Sequence, residues 1–508
     1  MATSGPGATN LITGIGTAYM DSVPMVAITG NVPTGLLGKD SFQEVDIAGI
    51  SMPVVKHNWI VKDVKDLAEV IREAFIVACS GRPGPVLIDI PRDVSALRAE
   101  WIPSKGKDKA KGINDAVLSA RAKRLSQREA RPTFTDADIE KAAALLKKAR
   151  RPLLYAGGGV ISAEAGQELA ALAERLNAPV ALSLMGIGAI PRDHRLCTGL
   201  IGMHGTVASN KAAQKTDLLL AIGARFSDRV TSSADLFAKT ARIIHFDIDP
   251  AEINKNIKTN AWVVGNVKET LSCLLAKLPQ KMKTEWNGEI EKWKTHIPKT
   301  HTQNAAFAKN ALHPRFVIEE TAKKLGSGSI AVTDVGQHQI WAAQFFPAAR
   351  PRSFLSSGGL GAMGFGLGAA WGAKIAHPSE PVVLFTGDGC FKMNCTEMAT
   401  LSTYKIPVLI IVFRNGVLGM VRQWQNFFYE GRCSETDLSQ SPDFVKLSEA
   451  YGIRGFSARD QSSFLEALQA ATAELTSGRA ALIEALIDRN ENVLPMVPSG
   501  MPIDEQIL

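Results

Sequence analysis

The sequence predicts an α/β protein built from three doubly wound parallel-sheet domains. Three observations carry the prediction. Short runs rich in Val, Ile and Leu end in Gly-rich turns, as strands buried in parallel sheets do. These runs alternate with segments of helical period. The length, 508 residues, corresponds to about three domains at roughly 100–200 residues each.

The first segment covers 1–97. Its expected strands are PMVAITG (24–30) and PVLIDIP (85–91), with the helical pattern DLAEVIREAFIVACS (66–80) between them. Its opening stretch, SGPGATNLITGIGTAYMDS, reads as a Gly/Pro turn feeding a helix. A linker spans 98–132. The second segment covers 133–290, with strands expected at 151–159, 178–184, 217–225 and 242–250 and a helix at 163–177. The polar stretch 281–311 is expected to cross between domains. The third segment, 312–508, has strands expected at 329–336, 381–387, 407–413 and 480–487. Ligands of such sheets bind at the carboxyl ends of the strands.

Composition narrows the function classes. Apolar residues make up 45% and charged residues 21%, an ordinary globular profile. No apolar run is long enough to span a membrane, and the start MATSGPGATN lacks the basic and apolar regions of a signal peptide. The six cysteines are scattered, with no C-x-x-C pair, which predicts reduced thiols in a cytoplasmic protein. The net charge of +7 is concentrated between Pro103 and Arg131, where nine Lys or Arg face three acids. That run has no interleaved aromatics and reads as a solvated linker, not a nucleic-acid site.

The chemistry concentrates in PVVLFTGDGCFKMNCTEMATLSTYKIPVLIIVFRNG (381–416). One strand ends at Gly387-Asp388-Gly389, a helical stretch follows, and the next strand ends at Asn415. A right-handed βαβ unit places both strand ends on one edge of the sheet, which brings Asp388 and Asn415 together. A carboxylate and an amide oxygen suit Mg²⁺, whose remaining positions go to phosphate oxygens and water. The carbonyl of Val417 is well placed to help. The glycines permit a tight turn and close backbone approach to phosphate. A lone GDG is a weak signal; paired with Asn at the next strand end it is far more specific.

The pairing resembles the cofactor motif of thiamine-diphosphate-dependent enzymes. Further strings narrow the likeness: SGPGATN (4–10), FQE (42–44), SGRPGPVLIDIPRD (80–93), GMHGT (202–206), ARFSDRV (224–230), VGQHQIWAAQ (335–344), SSGGLGAMGFG (356–366), LGMVRQWQ (418–425) and VLPMVPSG (493–500). Together they are similar to the catalytic subunit of the acetohydroxyacid synthase (acetolactate synthase) family, over nearly the whole chain except the linker. That family decarboxylates pyruvate on thiamine diphosphate and passes the two-carbon unit to pyruvate or 2-oxobutanoate. The resemblance implies that Asp388, Asn415 and Val417 hold Mg²⁺. It implies that Gln337, His338, Gly361, Met363, Gly387, Gly389 and Met420 bind thiamine diphosphate, Met363 under the bent cofactor and Gly361 through its carbonyl. Phe42, Gln43, Arg92 and Trp424 would line the substrate channel, Trp424 selecting the acceptor. The middle segment would bind FAD through Gly158, Gly159, Met203, His204, Gly223, Arg225, Arg229 and Asp247, with Arg82. A homodimer or homotetramer with sites between subunits, and a small regulatory subunit, are implied as partners.

The pattern also departs from the family. The family's activating Glu precedes the SGPGATN string, and no residue of this chain matches it, so an N-terminally truncated first domain and impaired activity are expected. Glu44 sits at a different place. Arg414 replaces an Asn next to Asn415, Arg92 stands where Lys is expected, and Asn266 where Asp is. The alternative is a non-catalytic homologue that binds cofactor and serves as a scaffold. Met363 and Trp424, taken alone, would read as core packing.

Overall fold

The computed structural model describes residues 1–100, 133–282, 284–295 and 312–508. The basic run and all but the first three residues of the 98–132 linker lie outside the described residues. The chain divides into two compact units: Met1–Thr133 with Gly358–Gly361, and Phe134–Ser357 with Ala362–Leu508.

The first unit holds one parallel sheet of β1 (Met25–Asn31), β2 (His57–Ile60) and β3 (Pro85–Pro91), in the order β1-β3-β2. β3 is central, and its side chains alternate between two cores. Val86 and Ile88 face Ala74, Val77 and Ala78 of the helix Val64–Cys79. Leu87 faces Ala8, Ile15 and Ile47 on the other side. This two-sided burial explains the unbroken apolar run VLI. The helix Val64–Cys79 begins where Asp63 accepts from Lys65 N. The Gly-Pro opening folds as two short helices, Pro6–Thr9 and Ile12–Met20.

The second unit holds two six-stranded sheets. The first comprises β4 (Pro152–Ala156), β5 (Val180–Leu182), β6 (Cys197–Leu200), β7 (Leu218–Ile222), β8 (Arg242–Asp247) and β9 (Ala261–Val264), in the order β6-β5-β4-β7-β8-β9. The second comprises β10 (Ile330–Thr333), β11 (Phe354–Leu355), β12 (Val382–Gly387), β13 (Leu409–Arg414), β14 (Arg454–Ala458) and β15 (Ala481–Leu486), in the order β11-β10-β12-β13-β15-β14. Every pairing is parallel. The strand order turns around between β4 and β7 in one sheet and between β10 and β12 in the other. Such switch points are where open α/β sheets bind ligands.

The structure corrects several expectations. β2, β6, β9, β11 and β14 were not expected, and all five are edge strands. An edge strand buries one side less completely, so its sequence lacks the continuous apolar run that marks a central strand. The strand expected over 151–159 ends at Ala156, and its last glycines open the helix Gly158–Ser162. The described part of 281–311 packs on the middle sheet: Trp286 is fully buried, and its indole N–H donates to Pro152 O at 2.8 Å. The single helix expected after Asp388 is two, Asp388–Asn394 and Met398–Thr403, joined by one 3-10 turn. No helix among the described residues is long and apolar enough to cross a membrane.

Candidate functional site

The switch point of the C-terminal sheet is lined by the residues that follow β10, β12 and β13. Gln337 and His338 open the helix Gln337–Phe345 after β10. Asp388 begins a helix at the end of β12, and Asn415 follows β13. The crossover thus places Asp388 and Asn415 side by side: Asp388 Oδ2 accepts from Gly416 N at 2.8 Å and Oδ1 from Gly389 N at 2.9 Å. Asn415 Oδ1 accepts from Val417 N at 3.1 Å, and its Nδ2 donates to Gln337 Oε1 at 3.3 Å. Val417 faces Asp437 in an antiparallel bridge flanked by Leu418 N→Thr436 O and Leu438 N→Gly416 O. In that pattern the amide and carbonyl of Val417 point away from Asp437, to the side where Asn415 lies.

The electrostatics suit a cation. Burial pushes the Asp388 carboxyl up to about 6, and the N–H donors of Gly416 and Gly389 with the charges of Lys392 and Arg414 offset this only in part. A buried carboxylate short of counter-charge is stabilised by a bound divalent ion. The donor set of one carboxylate, one amide oxygen and one carbonyl fits a hard ion that keeps phosphate or water ligands. No cluster of three or more His, Cys, Asp or Glu capable of holding a metal occurs among the described residues. His338 is buried and held neutral, its pKa lowered to about 3 by that burial, and its Nε2 has no partner. Its ring lies on Gly387, where a Cβ would stand 2.8 Å from Nδ1. At Gly389 a Cβ would meet Leu418 Cδ2 at 2.8 Å. The glycines are therefore required by close packing as well as by any phosphate.

Met363 is 37% exposed, so the core-packing reading does not hold for it; its Cε lies 3.7 Å from the Cβ position of Gly389. Met420 and Trp424 share the helix Gly419–Phe428. Met420 packs on the core containing Phe385 and Phe413, and Trp424 is half-buried against Phe428, ring centroids 5.1 Å apart. Arg414 pairs with buried Glu484 of β15 at 2.6 Å and lies over the ring of Phe444.

Two residues of this site escaped the sequence reading. Asp334, after β10, is buried; its carboxylate accepts from Gly364 N at 2.8 Å and from Thr386 Oγ1 at 3.0 Å. It fastens the loop behind Met363 to the strand that carries Asp388. Gln423 is buried beside Gln337. Gln423 stood in a string quoted for its neighbours and Asp334 near the end of an expected strand, and only the fold reveals that both are buried.

In the middle sheet the switch point is bordered by Gly158 and Gly159 after β4 and by Gly223 and Arg225 after β7. Asp247 ends β8, and Met203 and His204 follow β6. Gly159 N donates to Gly223 O at 3.0 Å, and a Cβ on Gly223 would stand 2.5 Å from Gly159 Cα. These two loops touch backbone to backbone. Asp247 is buried 3.6 Å from His245 Nε2. Arg229 is exposed and reaches Met203 Sδ at 3.6 Å. His204 Nδ1 donates to Pro495 O at 3.1 Å, and burial lowers its pKa to about 4. Asn266 caps the helix Val267–Lys277 by accepting from Lys268 N at 2.9 Å, a role an Asp would fill equally.

The remaining candidates belong to the first unit. Phe42 is 88% exposed, Gln43 adopts a left-handed backbone (φ 58), and Arg92 is exposed at the first turn of Arg92–Ala96. Arg82 Nε donates to Ser22 Oγ at 2.9 Å. Gly361 has a positive φ of 70. The Glu44 carboxylate accepts from the amides of Gly38, Lys39 and Ser41 and so closes its own loop.

Comparison with known proteins places this geometry. Family profiles match three stretches: the N-terminal TPP binding domain of thiamine pyrophosphate enzymes over residues 1–50, their central domain over 139–274, and their C-terminal TPP binding domain over 334–485. A probable acetolactate synthase large subunit of Methanocaldococcus jannaschii is 46% identical, covering 98% of this chain and 83% of its own length. An acetolactate synthase large subunit of Corynebacterium glutamicum is 44% identical over 98% of this chain and 78% of its own. The isozyme 3 large subunit of Escherichia coli is 40% identical over 100% of this chain and 87% of its own.

Proposed function

The chain belongs to the acetolactate synthase large-subunit family of thiamine-diphosphate enzymes, and from that premise we propose that it joins two 2-oxo acids in the cytoplasm. Pyruvate is the donor, and pyruvate or 2-oxobutanoate the acceptor. The observation that carries this reading is the convergence of Asp388, Asn415 and Gln337 at the switch point between β10 and β12.

Thiamine diphosphate, when bound, supplies the electron sink for decarboxylation and carbon–carbon bond formation. Asp388, Asn415 and the Val417 carbonyl would hold Mg²⁺. Gln337 and neutral His338 would meet the diphosphate as hydrogen-bonding groups, with Gly387 and Gly389 leaving room for it. Met363, Met420 and Gly361 would support the rings. Trp424, with Phe42, Gln43 and Arg92, would border the substrate path. In the middle sheet Gly158, Gly159, Met203, His204, Gly223, Arg225, Arg229 and Asp247, with Arg82, would take FAD as a structural cofactor. A homodimer or homotetramer is the expected assembly, and the relatives named large subunits support a small regulatory partner.

The second reading is a cofactor-binding scaffold with impaired catalysis, and the carboxylate of Glu44 is engaged in closing its own loop. Acetolactate formation by these 508 residues with Mg²⁺, thiamine diphosphate and FAD separates the two. A rate about 10²–10⁴ below that of the Escherichia coli relative, the usual worth of a positioned acid–base group, would favour the scaffold reading. Turnover equal to the relative's would refute the impairment. Calorimetry tests the site itself: the wild-type chain is expected to bind thiamine diphosphate only with Mg²⁺, and Asp388→Ala is expected to abolish that binding.

A further inference from the structure

We propose that Gln423 is a positioning residue, which sets the orientation of the Gln337 and Asn415 amides by tying them to the C-terminal segment 491–497. The proposal rests on the reading of Asp388, Asn415 and Gln337 as the metal–diphosphate site.

Gln423 is 1% exposed in the middle of the helix Gly419–Phe428. Every polar position of its amide is used. Oε1 accepts from Gln337 Nε2 at 3.1 Å and from Val493 N at 2.8 Å. Nε2 donates to Val493 O at 2.9 Å and lies 3.4 Å from Met496 Sδ. The two bonds to Val493 fix which end of the amide is oxygen, because one partner is a donor and the other an acceptor. That oxygen in turn dictates that Gln337 presents its NH₂ group inward. The second proton of that group goes to Glu491 O at 2.8 Å. Gln337 must therefore turn Oε1 toward Asn415, whose Nδ2 it receives. With its NH₂ group thus engaged, Asn415 is left with its oxygen on the side of Val417, the side on which a metal would need it.

The order of dependence is Val493, Gln423, Gln337, Asn415. Reversing any amide would set donor against donor at the next step, and in a buried network each such mismatch is costly. Segment 491–497 is itself held from the middle sheet. Pro495 O receives His204 Nδ1 and Val497 N donates to Met203 O at 2.8 Å, while Leu494 O receives Gln344 Nε2 of the helix Gln337–Phe345 at 3.1 Å. Gln423 thus passes the placement of a segment anchored on the middle sheet to the amide oxygen proposed to bind metal. A residue that merely filled the core would need none of these directional bonds.

The test is a double-mutant cycle on Mg²⁺-dependent binding of thiamine diphosphate, read by calorimetry on the whole chain. Gln423→Met keeps the volume and removes the amide. It is expected to weaken binding about tenfold, the scale of one misdirected buried hydrogen bond. In the Gln337→Met background the same change should add less than about twofold, because Gln423 acts through Gln337. Equal loss in both backgrounds, or unchanged binding by the single variant, overturns the positioning role. Should Gln423→Met fail to fold, Gln423→Asn, which keeps an amide but withdraws it from Gln337, takes its place in the cycle. Absence of binding by the wild-type chain overturns the metal–diphosphate reading instead, and the inference falls with it.

Discussion

Arg414 changes the meaning of its neighbourhood more than any other departure from the family pattern. Beside the candidate metal ligand Asn415 a new cation looks disruptive, yet its guanidinium is taken by Glu484, whose side chain is only 6% exposed. Removing the cation leaves a buried carboxylate without its partner. Arg414→Leu should therefore cost about 3 kcal/mol of stability in urea unfolding. Arg414→Leu with Glu484→Leu should recover most of it, since both charges then leave together. A single variant as stable as the wild type would show that solvent already compensates Glu484. His204 supplies a second test, with a defined sign. Its folded-state pKa is about 4 against an ordinary 6.5. The unfolded chain therefore takes up a proton at a pH where the folded chain does not, and stability falls as pH drops from about 6.5 to 4. His204→Gln, which still has a donor for Pro495 O, should flatten that part of the Tm–pH curve. An unchanged slope would exclude His204 as a source. Asp388 and Asn415 were legible in the sequence because strand ends announce themselves. Gln423 and Asp334 were not, because their roles rest on partners 30 to 86 residues away.

Strands and loops sort by the same rule of burial. Central strands such as β3, β7 and β12 are buried on both faces and so carry the apolar runs that the sequence displays. The five strands that went unforeseen are edge strands, where packing on a neighbour, not composition, decides the conformation. The glycine-rich loops of the middle sheet were read as room for a dinucleotide. The structure adds an internal reason: Gly157 and Gly159 press against the backbone of Gly223. Gly223 also has φ 55, so a side chain there suffers both strain and collision. Gly223→Ala should cost more than about 2 kcal/mol and should remove FAD binding, read by quenching of flavin fluorescence. Retained stability with lost FAD binding would assign the glycine to the ligand alone. Retention of both would contradict the close approach.

The largest test concerns how the chain unfolds. The first unit has its own two cores around β3, whereas the two sheets of the second unit are joined through segment 491–497, which bonds to Gln423 and Gln344 on one side and to His204 and Met203 on the other. Separate cores predict separate cooperative transitions, one for each unit. The residues proposed to hold the metal and diphosphate, Asp388, Asn415, Val417, Gln337 and His338, all lie in the second unit. A ligand that binds only the folded site at 100 times its Kd stabilises that site by about 2.7 kcal/mol. Scanning calorimetry with thiamine diphosphate and Mg²⁺ should therefore raise the transition of the second unit, and EDTA should cancel the shift. Because Gln423 links the metal loop to the segment held by the middle sheet, that transition should move as one peak and not divide between the two sheets. A divided peak would show that segment 491–497 does not couple them. A shift that survives EDTA would place the diphosphate elsewhere than on Asp388.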